Sequence, residues 1–148
     1  MFRHIFVAVK FTAASRSALE KGVRLARFHQ AALTVYHCQD YRLVRLEPSH
    51  PDRVDANRTA AELYEAQLKP LVADVADVAF SSEPGDPAMS VCRQARKCGA
   101  DLIILGCHQH GHKLSLGRVD YVGITILEKA HCPVMLVPLA DDDPVGVS

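Results

Sequence analysis

The densest run of reactive side chains is Gly106-Cys107-His108-Gln109-His110-Gly111-His112, which leads to Leu116-Gly117-Arg118-Val119-Asp120-Tyr121. A thiolate beside imidazoles is a donor set suited to zinc. His108, His110 and His112 share a face only where the backbone is extended. No second cluster of spaced histidines occurs elsewhere to complete a closed site. The plainer arrangement is a polar loop, with His108 on a pocket wall and His110 and His112 in solvent, and no metal site is assigned. Cys107 and Ser115 are candidate nucleophiles, but neither G-x-S-x-G nor S-x-x-K accompanies them. Lys10 would serve as a nucleophilic amine only with a depressed pKa; a salt bridge or phosphate contact is the simpler role. No catalytic residue is assigned.

These residues need a scaffold, and the chain is long enough for one. Its 148 residues fit a single domain, expected over 1–140, followed by an acidic, frayed tail at 141–148 that carries Asp141-Asp142-Asp143. Apolar residues make up 49% and charged residues 23%, a composition that favours a packed core over disorder. Lysine plus arginine equals aspartate plus glutamate at 17 each, so no basic excess is present to neutralise a nucleic-acid backbone. The apolar runs are too short for a membrane span. Met1-Phe2-Arg3-His4 leads straight into a strand-like run without an export signal. Five cysteines without a C-x-x-C pair fit reduced thiols, and the expected location is the cytoplasm.

Apolar runs alternate with helical stretches. Ile5 to Val9 is near-continuously apolar, as in a strand buried on both faces. Thr12-Ala13-Ala14-Ser15 starts a helix with Ala18, Gly22, Leu25 and Ala26 at helical spacing. Ala32 to Cys38 is a second strand, and Gln39 to Asp52, with Pro48 and Pro51, is expected to be a long exposed loop. A helix is expected from Asp55 to Lys69, kinked or ended by Pro70, and a strand from Val75 to Phe80. Asp86 caps a helix with Pro87 in its first turn, and Gly99 suits the left-handed closing position. Asp101 to Gly106 and Pro133 to Pro138 complete five strands, with a helix ending near Ala130 between them.

This alternation predicts an α/β fold, a Rossmann-like doubly wound parallel sheet with helices on both faces and strand order 3-2-1-4-5. Ligands of such sheets sit beyond the carboxyl ends of the strands, where strand order reverses. That edge comprises Val9 to Thr12, His37 to Asp40, and Gly106 onward.

His4 to Val9, Ser17-Ala18-Leu19-Glu20-Lys21, Gly85-Asp86-Pro87, Gly99 to Gly106, and Cys132-Pro133-Val134 together resemble the universal stress protein family over nearly the whole chain. The resemblance implies a homodimeric Rossmann-like domain in stress tolerance, with some members binding ATP or AMP. Nucleotide-binding members carry an aspartate at the end of strand one; here Lys10 stands there, with Phe11 in place of a usual glycine. An ammonium cannot accept the hydrogen bonds that a carboxylate takes from hydroxyls. Those members also carry a glycine loop, G-x2-G-x9-G-S/T, whose N–H groups approach phosphates at a helix N-terminus. Gly106 matches its first glycine, Gln109 takes the second position, and Gly111 falls two residues late. Counting back from Cys132 puts Asp120-Tyr121 at the closing pair, whereas aligning Leu116-Gly117-Arg118-Val119 retains the last glycine at the expense of an extra helical turn. Asp120 would repel a phosphate, while Arg118 and Lys113 would attract one. The word Gly106-Cys107-His108-Gln109 resembles the UspA branch, which generally lacks the ATP loop.

The resemblance thus implies a degenerate nucleotide pocket drawing on Val9, Lys10, Phe11, Cys38, Gly106, His108, Gln109, Gly111, Gly117, Arg118, Val119, Asp120 and Tyr121. The function expected is regulatory, not catalytic, with an unidentified protein client and ATP or AMP as the possible ligand. Two alternatives stand beside it. One is a working AMP or ATP sensor with slow hydrolysis, the other a metal- or redox-responsive protein using Cys107 and the histidine loop. The last strand is an apolar edge, so Val134, Met135, Leu136 and Val137 are expected to join two copies.

Overall fold

The computed structural model describes residues 1–108 and 121–139. Five parallel strands form one sheet: β1 (His4–Ala8), β2 (Ala32–Gln39), β3 (Val78–Pro84), β4 (Leu102–His108) and β5 (Val134–Leu139), in the order β3-β2-β1-β4-β5. The predicted order is the observed one. Helix α1 (Ala13–His29) covers one face with the continuation of α2 (Pro51–Leu63), while α3 (Pro87–Lys97) and α4 (Tyr121–Lys129) cover the other. No helix among the described residues is long and apolar enough to cross a membrane.

The central strand explains its own sequence. Ile5 and Val7 point into the core beneath α1, with Ala18, Leu19 and Val23; Phe6 points the opposite way, among Val91, Ala95 and Ile103. A strand with helices on both faces has no polar side, hence the continuous apolar run. Its entry is fixed by Asp101 at the foot of β4, whose carboxylate oxygens accept the N–H groups of Arg3 at 2.9 Å and His4 at 3.0 Å.

Several boundaries differ from those expected. Helix α2 begins at Pro51, four residues before the predicted Asp55, because His50 Nδ1 accepts the N–H of Asp52 and proline fits the first turn of a helix. The predicted loop before it also contains a short 3₁₀ helix, Tyr41–Arg45, capped by Asp40. At the other end Pro70 distorts the chain's winding rather than ending it. Its missing N–H and its ring oppose a normal α-helical turn, and the backbone widens to a π-helical turn over Tyr64–Leu68, then tightens to a 3₁₀ turn over Lys69–Val72. Strand β3 lies later than the predicted Val75 to Phe80, because it is an edge strand that includes the polar Ser81, Ser82 and Glu83. Strand β4 runs two residues beyond Gly106, paired with β5 through Cys107↔Pro138 and His108↔Leu139. Pro138 is accommodated inside β5 because that strand is also an edge.

Candidate functional site

Helix α1 starts where β1 ends, and the connection is held by short polar contacts. Thr12 caps the helix by accepting the N–H of Ser15, and Ser15 Oγ accepts the N–H of Lys10 at 2.9 Å. Between these residues Phe11 adopts φ +61°, a left-handed conformation that costs a side-chain-bearing residue about 1–2 kcal/mol. Its ring packs on His37, with centroids 4.8 Å apart, and contacts the α1 side of the core. His37 Nδ1–H donates to the Val9 carbonyl at 3.0 Å, and burial lowers the pKa of the ring despite that bond.

Opposite this turn, β4 approaches α1 very closely. A Cβ placed on Gly106 would stand 2.2 Å from the carbonyl oxygen of Ala14. The glycine is therefore required by backbone packing, whatever ligand lies nearby.

These segments enclose a cavity of about 250 Å³ at the carboxyl end of the sheet, between α3, α4 and the first turn of α1. Val9, Lys10, Cys38 and Gly106 line it, so four of the predicted residues share one site. Among its described lining residues, Lys10 is the one charged side chain. Phe11, also predicted, is turned toward His37 instead. Tyr121 opens α4 and is 81% exposed, while the next residue, Val122, faces the cavity. His108 ends β4, and its backbone alone is described. Gln109, Gly111, Gly117, Arg118, Val119 and Asp120 lie outside the described residues, as do Lys113, Ser115, His110, His112 and the tail at 141–148. Cys107 belongs to β4 and lines the cavity, and among the described residues no group of three metal-capable side chains converges.

Sequence patterns missed much of the cavity's lining. Val91, Leu105, Val122 and Ile126 supply an apolar wall, and each looked like ordinary helix or strand core in the sequence. Tyr36, fully buried, and Cys38 line the cavity as well, and Ser90 lies beside them outside its lining. The Cys38 thiol donates to the carbonyl of Gly85 at 3.2 Å. The hydroxyls of Tyr36 and Ser90 and this thiol lie near enough to affect one another's protonation, yet neither hydroxyl has a partner meeting both distance and direction. Burial, with the nearby Cys38, pushes the Tyr36 phenol up to about 12, and burial likewise raises the Cys38 thiol. Both groups are neutral donors at neutral pH. The available signal was the strand's alternation, which puts Tyr36 and Cys38 on the same face.

The pattern shared by the universal stress protein family matches residues 1–138 of this chain. Universal stress protein C of Salmonella typhimurium is 29% identical over 147 residues, covering 95% of this chain and 99% of that protein. Among solved structures, universal stress protein UspA from Lactobacillus plantarum is similar with a TM-score of 0.71 at 22% identity, over 91% of this chain and 97% of that one. A universal stress protein family protein from Arabidopsis thaliana, solved with AMP bound, gives a TM-score of 0.66 at 18% identity, over 97% of this chain and 96% of that one.

Proposed function

We propose that this chain, a member of the universal stress protein family across residues 1–138, is a cytoplasmic regulatory protein whose nucleotide pocket has been altered away from ordinary ATP binding. The observation that carries this is Lys10 on the cavity wall beside Gly106, at the position where the family resemblance implies a carboxylate. An ammonium there cannot accept bonds from the hydroxyls of a ribose. Each hydrogen bond lost to a charged group costs roughly 1.5–3 kcal/mol, about one to two decades of affinity.

A working adenine-nucleotide sensor is the second reading, favoured by the AMP bound to the Arabidopsis relative of the same fold. Calorimetric titration with ATP, AMP and cyclic AMP, with and without magnesium, separates the two. ATP is expected to bind in the tens of micromolar at best, and a submicromolar dissociation constant overturns the altered-pocket reading in favour of the sensor. The signalling form is proposed to be a homodimer joined through β5, acting on a protein client.

A further inference from the structure

Three of the five cysteines lie outside the cavity's lining, toward the amino end of the sheet on the side of α3 and α4. Cys92 is within α3, Cys98 caps its carboxyl end, and Cys132 is in the connection from α4 to β5. All three are half-buried free thiols, packed against the core that Ala95, Ala100, Ile103 and Ile126 build. Cys38 and Cys107 stand apart from them, near the carboxyl ends of β2 and β4.

Hydrogen bonds on both sides of Cys132 fix it against the turn that follows Cys98. His131 Nε2–H donates to the carbonyl of Ala100 at 2.7 Å, and the carbonyl of Pro133 accepts the N–H of Ile103 at 3.0 Å. That turn is tied to α3 in its own right. The N–H of Cys98 donates to the Gln94 carbonyl at 3.0 Å, and its thiol donates to the Ala95 carbonyl at 3.5 Å. Cys132 therefore meets the end of α3 from the β5 side, near enough for charge on either Cys92 or Cys98 to act on it. The three sulfurs do not converge as metal ligands do. A disulfide needs only two, with Cα atoms about 4.4–6.8 Å apart. Cys92 and Cys98 are six positions apart, about 9 Å along a helix, which is too far to join each other. Cys132 is the partner open to both.

We infer that these thiols form an oxidation site for hydroperoxides, in which Cys132 closes a reversible disulfide with Cys92 or Cys98. One sulfur, as thiolate, attacks a peroxide oxygen. The O–O bond breaks, the alcohol or water leaves with the thiol's proton, and a sulfenic acid remains. The second sulfur attacks the sulfenic sulfur, the S–O bond breaks, and the hydroxyl leaves as water with the second thiol's proton. Each sulfur has then given up one electron and the peroxide has taken two. Burial, with Asp101 and the other two thiols, raises the Cys132 thiol, and burial raises Cys92 against Arg96 and Lys129. Both are neutral at neutral pH, so the site answers slowly, to a sustained oxidant. Disulfides in a reducing compartment are usually transient and redox-sensing, as this one would be. The loop it closes carries Leu105, Gly106, Val122 and Ile126 of the cavity lining. The site is separate from the cavity and stands whether or not a nucleotide binds there.

The test exposes the folded full chain to excess hydrogen peroxide, blocks the remaining thiols with N-ethylmaleimide and maps the peptides by fragmentation, which tells Cys98 from Cys107. Free thiols are expected to fall from five to three, with Cys132 joined to Cys92 or Cys98, and to return to five with dithiothreitol. Cys132→Ser should form no disulfide, and neither should Cys92→Ser combined with Cys98→Ser. Circular dichroism of the reduced variants should match the wild type. Five thiols remaining after peroxide, oxidation that stops at sulfinic acid, a bond that omits Cys132, or a disulfide between chains overturns the inference. Should a variant fail to fold, the wild-type peptide map decides by itself.

Discussion

Two of the glycines beside the cavity show how one residue type can answer to different demands. Gly106 looks like a phosphate-loop glycine in the sequence, yet the carbonyl of Ala14 alone requires it. Gly85 is similar: a Cβ there would stand 2.2 Å from Ser90 Oγ. The flexible serine hydroxyl can rotate aside, whereas the backbone of α1 cannot. Gly106→Ala should therefore destabilise the fold by about 1–3 kcal/mol, the usual range for overpacking, visible as a lower midpoint in urea with unchanged slope. Equal stability of the variant and the wild type would mean that α1 shifts freely, and the close-packed account of this glycine would be wrong. Phe11 makes the converse point, for there a large side chain accepts a conformation that glycine enters without strain. Its ring is seated there against His37.

Among the elements, the sheet pairing of β1 with β4 is reinforced at its foot by one carboxylate. Burial alone would raise the Asp101 pKa, but the N–H groups of His4 and Arg3 outweigh it, and the carboxyl sits below its usual value. A folded pKa below the unfolded one means that the unfolded chain binds more protons as pH falls. The contribution is complete well above about pH 3.9, the ordinary aspartate value, and is lost as pH falls through the lower folded value. Asp101→Ala should cost about 1 kcal/mol at neutral pH, once screening of this partly exposed group is allowed for. The difference between variant and wild type should shrink in acid, measured as urea midpoints across pH. A constant difference would remove the electrostatic part of the explanation.

The same elements show what a sequence can disclose. Strands β1, β4 and β5 were legible from their apolar runs, β2 from its β-branched and aromatic residues, and α3 because Asp86, Pro87 and Gly99 punctuate it. Strand β3 was misplaced because an edge strand with alternating exposure tolerates serines and glutamate. Pro70 marks a break in regular α-helix, but local rules do not reveal a π turn supported by the packing of Tyr64 and Leu68. The surroundings of Tyr36 were hidden for a different reason. Tyr36 and Ser90 are far apart in sequence, and their hydroxyls come together only when β2 and α3 are packed against each other.

For the whole molecule, the open question is what covers the β5 edge. Strand β5 pairs only with β4 in the sheet, leaving its other side without a strand among the described residues. Val134, Met135, Leu136 and Val137 are all half-buried, too apolar for an edge that remains in water. Edges meant for solvent usually carry lysine, a bulge or an inward charge, and this one has only Pro138. Helix α4, which touches β5, adds Ile124 and Leu127, 42% and 47% exposed, three residues apart on one helical face. A second copy related by a twofold axis would set two β5 strands antiparallel and cover both features at once. Pro138 interrupts the donor row, so the pairing should be short and fixed in register. Met135→Lys should move the light-scattering mass from about twice that of the chain toward one, since a lysine at the centre would face its own counterpart across the axis. Because Met135 also contacts the core on the α1 side, the variant's circular dichroism must remain that of the wild type for the change in mass to count. A wild-type chain that is monomeric at micromolar concentration would remove the dimer altogether, and the edge would then have to be covered in some other way.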